Sequence, residues 1–307
     1  MATSLSDQLS SKGFVVLQSM LQHAEISGYR ERLSGIFASP PAPQYGDSAM
    51  VRVTILPRYE WLAELFFSDR VQSSLHELFG EEYVLFPDNS VMDSQYGDWH
   101  TDTTSSELAG QTFRQNPDFG VFNVAFYFQA NDEHGGGLDV VPGSHLRDDT
   151  FLEKVRLKNE AYRLAQAAPA GREKRRHTPI RDLLRPFVPE RLLAARRRHL
   201  ASEALPTKEQ SNQPGEFTIA QRSGDLVVFD LRLSHKASWP RDRAPIPAAA
   251  RKFALFVICG RNNATSRQYR DYLALRAQTE PVYAGMGETA YPEWFVRMAA
   301  SRKVALL

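Results

Sequence analysis

Two runs of short apolar segments, one on each side of a long basic stretch, restrict this chain to a β-rich core. The first run holds Tyr83-Val-Leu-Phe86, Ser90-Val-Met92, the uninterrupted Val121-Phe-Asn-Val-Ala-Phe-Tyr-Phe128, and Leu138-Asp-Val-Val141. The second holds Glu216-Phe-Thr-Ile-Ala220, Asp225 to Leu231, and Arg251 to Cys259. Segments of this length, rich in β-branched and aromatic residues and bounded by turns such as Gly135-Gly-Gly137, read as strands. Several in series predict a jelly-roll or similar double-sheet barrel, hence a mainly β core with flanking helices in an α+β chain.

The flanks read differently. Residues 1–80 predict helix, strand, helix: a capping pattern at Ser4-Leu-Ser-Asp7, then Gly13-Phe-Val-Val-Leu17, then Ile26, Tyr29, Leu33, Ile36 and Phe37 at helical spacing, with a further helical region from Trp61 to Phe79 ending at Gly80. Residues 265–307 predict helices packed on the barrel. All 307 residues are expected to form one domain, with 82–145 and 216–260 as its core. Between these two lies 146–214, a predicted helical insertion or lid. Residues 151–200 hold 14 Lys or Arg against 5 Asp or Glu, in a chain whose formal net charge is only +1. That run reads either as a solvated face or as a surface for an anionic or carrier-linked substrate or an acidic partner. The overall balance gives no case for nucleic acid. A lone cysteine, Cys259, in an apolar strand, no secretory signal and no bilayer-length apolar run lead us to expect a cytoplasmic protein without a membrane span. Oligomeric state is not legible.

Chemistry concentrates in Gly97-Asp-Trp-His-Thr-Asp102. Side chains two apart on a strand share a face, so His100 and Asp102 can reach one metal ion while Thr101 points away. Two His and one carboxylate on one triangular face, with open positions opposite, make the site of non-haem iron oxygenases. His235, closing the run Gly224-Asp-Leu-Val-Val-Phe-Asp-Leu-Arg-Leu-Ser-His235, is the candidate for the second His. Arg251 opens the last apolar strand, where a guanidinium can pair with a carboxylate. Asn123 and Tyr127 share one face of their strand by period two, and become pocket candidates if that face looks inward.

The chain resembles the phytanoyl-CoA dioxygenase-like branch of the iron(II)- and 2-oxoglutarate-dependent oxygenases. The resemblance rests on Gly13-Phe-Val-Val-Leu17, Trp99-His-Thr-Asp102, Gly136-Gly-Leu-Asp-Val-Val-Pro-Gly-Ser-His145, Gly224-Asp-Leu-Val-Val-Phe229, His235 and Arg251, in family order, with 146–214 outside it. It implies a double-stranded β-helix core of the jelly-roll, cupin-like kind, with iron on His100, Asp102 and His235, the distal carboxylate of 2-oxoglutarate on Arg251, and dioxygen as the other cosubstrate. Two departures stand out. The interval from His235 to Arg251 is long, with Arg241 and Arg243 as rivals in the intervening loop. Two residues after His235 comes Ala237, where relatives carry a small hydroxyl residue, leaving Ser238 as the nearby substitute.

The implied reaction is oxidative decarboxylation to succinate and carbon dioxide with oxidation of a C–H bond of a small-molecule metabolite or natural-product intermediate. An Asp at 102, where halogenases of the superfamily have a small residue, implies hydroxylation over halogenation. Two other classes fit the motifs: a non-oxidative metal barrel (isomerase or hydrolase), and a catalytically silent binding module.

Overall fold

The computed structural model describes residues 4–108, 110–146, 215–241, 246–280, 283, 286 and 291–307. They fall in one compact unit, built from 1–148 and 213–307. The basic insertion, with the Arg196-Arg-Arg198 cluster, lies outside the described residues, as does Arg243.

Helix α1 (Leu5–Lys12) starts where Ser4 Oγ accepts the Asp7 N–H and stops at Gly13, whose φ of 82° reverses the chain into β1 (Phe14–Leu17). Helix α2 (His23–Ala38) follows, then a short strand β2 (Val51–Val53). The apolar run predicted as one helical region from Trp61 is two helices, α3 (Glu60–Phe66) and α4 (Asp69–Phe79). Extended Ser68 separates them, its ψ of 148° incompatible with a continuous helix.

Strands β3 (Tyr83–Asp93), β4 (Val121–Tyr127), β7 (Leu226–Asp230) and β9 (Phe253–Arg261) form the centre of a large sheet ordered β1-β7-β4-β9-β3-β10, with β2 also on β3. Strand β10 (Val304–Leu306) runs parallel to β3, so the C-terminal region ends in a strand and is not wholly helical. A smaller sheet, β6-β5-β8, is made of β5 (Leu138–Val140), β6 (Phe217–Thr218) and β8 (His235–Ala237). The two sheets face each other across Ala125, Tyr127, Leu138, Val140, Val227, Phe229 and Ala254, all buried. This is a jelly-roll, a double-stranded β-helix.

Strand alternation sorts the large sheet's side chains. Phe122, Val124 and Phe126 of β4, with Leu255 and Val257 of β9, pack outward against α1 to α4, and Phe79 of α4 stacks on Phe122 at 5.0 Å. Burying each such side chain contributes roughly 1.5–3 kcal/mol. Their neighbours Asn123, Ala125 and Tyr127 therefore face the interior, as do Ala254, Phe256 and Ile258, which lie beside them in register. Strand β3 is interrupted by a bulge between Leu85 and Asn89, where Pro87 has no N–H to offer the ladder. Two further helices cover the remaining side: α6 (Ala264–Thr279), whose Tyr269 and Tyr272 pack on Phe113, and α7 (Glu293–Ser301).

Candidate metal centre and its pocket

The segment after β3 brings His100 alongside β8. The His100 N–H donates to the His235 carbonyl and the His235 N–H to the His100 carbonyl, both at 2.9 Å, in an isolated antiparallel bridge. Residues paired directly across such a bridge carry neighbouring side chains, and the two rings stand 4.3 Å apart. Thr101 points the other way, its hydroxyl engaged with those of Thr103 and Thr104. Asp102 thus returns to the histidines' side: its Oδ1 is 3.5 Å from His100 Nε2 and 3.6 Å from His235 Nε2. The candidate ligand atoms of His100, Asp102 and His235 all lie within 4.8 Å of one another.

The tautomers are fixed by chemistry. His100 Nδ1 sits 2.6 Å from the Asp98 carbonyl and His235 Nδ1 2.9 Å from that of Leu233. A carbonyl only accepts, so both Nδ1 atoms carry hydrogen, and both Nε2 atoms, the positions left to bind a metal, face Asp102. Burial, then His100, pushes His235 down to about 4, so it is neutral at physiological pH. Burial also opposes ionisation of Asp102, but the adjacent histidines outweigh it and hold the carboxyl below its usual range. His100 is raised, because the Asp102 carboxylate outweighs the cost of burying the charged ring. Two imidazoles and a carboxylate converging on one point suit a borderline divalent metal such as iron(II).

Asn123 stands beside this centre, its Nδ2 donating to Asp102 Oδ2 at 3.3 Å while its Oδ1 has no hydrogen-bond partner among the described residues. Tyr127, on the same interior face, is fully buried, and its hydroxyl has no partner among the described residues; burial, then the Asp102 carboxylate, keeps the phenol protonated. Both face the barrel interior.

Arg251 is not brought to the constellation. Its Nε donates to Asp93 Oδ1 at 2.7 Å, its Nη2 pairs with Asp93 Oδ2, and the guanidinium lies over Phe253 in the outer layer. The next residue, Lys252, points the opposite way. It is 3% exposed, with Nζ donating to the Gln95 carbonyl at 2.7 Å and lying over the Tyr96 ring. Lys252 forms no ion pair among the described residues, and burial drops its pKa to about 7. Its charge in turn helps depress His235. Period-two alternation permits only one of 251 and 252 to face inward. The register with β4, invisible in a single sequence, selects Lys252. Ser238 is also on the wrong face: His235 and Ala237 look toward the metal side, while the Ser238 hydroxyl donates to Asp139 Oδ1 at 2.7 Å and accepts from Asn131 Nδ2. His145, the last residue of the Pro-Gly-Ser-His motif, bonds the Ser10 carbonyl through Nε2.

A family model described as Phytanoyl-CoA dioxygenase (PhyH) matches residues 9–240, a range that includes 146–214, which carried no recognisable motif, and ends before Arg251. Among curated proteins none matches the chain in sequence. Among solved structures the chain is similar to EctD from S. alaskensis with bound Fe, at 13% identity and a TM-score of 0.52, over 85% of this chain and 77% of that one. It is similar to the same protein with 2-oxoglutarate and 5-hydroxyectoine, at 13% and 0.52 over 85% and 76%. A further similarity is to the epimerase SnoN from nogalamycin biosynthesis, at 14% and 0.48 over 84% and 79%. The likeness to EctD shows the same fold.

Proposed function

Because the chain belongs to the phytanoyl-CoA dioxygenase family, we propose that it is an iron(II)- and 2-oxoglutarate-dependent oxygenase that hydroxylates an unactivated C–H bond of a small-molecule metabolite or natural-product intermediate. The observation that carries this reading is the convergence of His100 Nε2, His235 Nε2 and Asp102 Oδ1 inside a jelly-roll. Iron(II) held there supplies, with 2-oxoglutarate and dioxygen, an oxidant for a C–H bond, releasing succinate and carbon dioxide.

The chain's own residues prepare that chemistry. The Asp98 and Leu233 carbonyls hold both imidazoles with Nε2 forward. Asn123 occupies Asp102 Oδ2, leaving Oδ1 for the metal. We assign the distal carboxylate of 2-oxoglutarate to Lys252 in place of Arg251. A buried ammonium without a carboxylate partner is costly alone and favourable once an anion arrives. The Tyr127 hydroxyl is a second donor on the same face.

The test is an anaerobic titration of metal-free protein with iron(II) and then 2-oxoglutarate, reading the visible metal-to-ligand charge-transfer band. Wild type should show the band, Asp102→Ala should not, and Lys252→Met should need at least tenfold more 2-oxoglutarate while Arg251→Ala needs about the wild-type amount. Iron binding without the band would favour the non-oxidative metal barrel, and binding of neither the silent module. With a substrate in hand, succinate release matched by one oxygen atom gained in the product supports hydroxylation.

A further inference from the structure

The interior face that carries Asn123 continues to a carboxylate that the iron and cosubstrate roles leave unused. Asp88 lies in the β3 bulge next to Asn89, whose partner Val257 packs in the outer layer, so alternation turns Asp88 inward; on the neighbouring β9 the inward residue Ile258 is paired with Asn123. Its Oδ2 accepts the Tyr269 hydroxyl of α6 at 3.0 Å, and its Oδ1 has no donor among the described residues. The residue is only partly buried and keeps accessible surface. The charged and titratable groups that act on it are Tyr269, Asp102, Arg276 and Tyr283. Arg276 is committed to a two-pronged pair with Glu280 and stacks on Tyr283 at 3.5 Å. No cation among the described residues forms an ion pair with Asp88.

A second acceptor lies on the same interior face. Asn123 Oδ1 is enclosed and has no hydrogen-bond partner among the described residues, because Nδ2 faces the Asp102 carboxylate, which only accepts. Phe86, Phe113 and Tyr269 cluster at this end of the core, with Tyr269 edge-on to Phe86 at 5.0 Å and to Phe113 at 5.9 Å. The interior is therefore polarised. Lys252 stands six residues before Ile258, about 20 Å along an extended chain, with an ammonium at one end and free acceptors beside aromatic rings at the other.

Resting on the oxygenase reading, we infer that Asp88 and Asn123 form the primary-substrate subsite, and that it takes a protonated amine. A carboxylate, an amide oxygen and aromatic walls together suit an ammonium, which offers several donors and a charge that both carboxylate and ring faces attract. Desolvation lifts Asp88 to about 6, so it is mostly ionised at neutral pH, and a cationic ligand offsets the cost of that buried charge.

The test uses benzylamine, cationic at pH 7.5, against benzyl alcohol and benzoate as probes. Binding is read by saturation-transfer NMR on metal-free protein, and by paramagnetic broadening of the benzylic protons on the protein loaded with iron(II) and 2-oxoglutarate. Wild type should bind benzylamine at least tenfold more tightly than either competitor and broaden its benzylic signal. Asp88→Asn, which keeps an acceptor for Tyr269, should reduce benzylamine affinity at least tenfold and narrow the gap to the alcohol. Equal binding of amine and alcohol by wild type, no benzylamine binding in the millimolar range, or an unchanged preference in Asp88→Asn overturns the assignment. The wild-type comparison needs no variant to fold. The charge-transfer band, recorded on the same wild-type sample, tests the oxygenase reading separately: amine selectivity without the band sinks that reading alone, and the band without selectivity sinks the amine.

Discussion

Lys252 makes the cosubstrate affinity depend on pH in a direction opposite to that expected of an arginine anchor. In the free protein its pKa is lowered to about 7 by burial, so above pH 7 the ammonium must take up a proton before it can hold a carboxylate. Binding is strongest below pH 7 and weakens about tenfold per pH unit above it, until the pKa of the bound state is reached. At pH 9 about 1% of free Lys252 is charged, which corresponds to roughly a 100-fold loss, or about 2.7 kcal/mol. The assay is the anaerobic charge-transfer titration with 2-oxoglutarate at pH 6.5, 7.5, 8.5 and 9. Lys252→Arg serves as the control, since a guanidinium stays charged throughout. Hydroxide competing at the metal would weaken both proteins alike, so the difference between their slopes isolates the lysine. A wild-type affinity that varies less than threefold across this range, or one that falls in parallel with the arginine variant, would refute the reasoning.

Further outcomes can be checked independently. Lys252→Met should stabilise the ligand-free protein at pH 7. Lowering a lysine from 10.5 to about 7 costs the folded state on the order of 5 kcal/mol at and below pH 7, and that cost fades as pH rises toward the unfolded value. Chemical denaturation at pH 6.5 and 10 should show the variant's advantage shrinking with pH. Arg251→Ala should cost about 1 kcal/mol or less, because its pair with Asp93 is partly solvated; a loss above 2 kcal/mol would mean the pair is shielded from water. Gly135→Ala should destabilise by at least 2 kcal/mol, since φ is +66° and a Cβ would stand 2.4 Å from the Ser238 carbonyl oxygen. His100→Ala and His235→Ala should each abolish tight iron binding, measured by competition with a chelator; retention of wild-type affinity in either would place the metal elsewhere.

What the sequence showed and what it hid follow from the range of the interactions involved. His100 and Asp102 were legible because the i, i+2 rule is local, and His235 because an apolar run ended on it. The two bulky sheets were legible for the same reason: Val121 to Phe128 and Leu226 to Leu231 can scarcely be anything but strands. Lys252 was hidden by phase. Nothing in Arg251-Lys-Phe-Ala says which alternate set faces inward, and only pairing of Ala254 with Tyr127 decides it. Ser238 failed by the same parity, one residue off the face of His235. Asp88 was hidden for the same reason as Lys252: a single sequence does not say which alternate set of Tyr83 to Asp93 faces inward, and only the pairing of β3 with β9 decides it. The three-residue strands β2 and β10 are too short to carry a periodic signal, and their place on β3 is set by tertiary packing alone.

The reciprocal backbone bridge between His100 and His235 has a consequence for how such a chain can change over time. It joins segments 135 positions apart, and it sets the spacing of the two imidazoles by two short hydrogen bonds and not by the path of the chain between them. Closing a loop grows more costly only with the logarithm of its length, about 0.6 kcal/mol per doubling. Provided β4, β5 and β7 keep their places in the sheets, the turns that join them can therefore lengthen, shorten or acquire new chemistry while the ligand geometry is left alone. A barrel latched in this manner separates the inheritance of its reaction from the invention of its specificity.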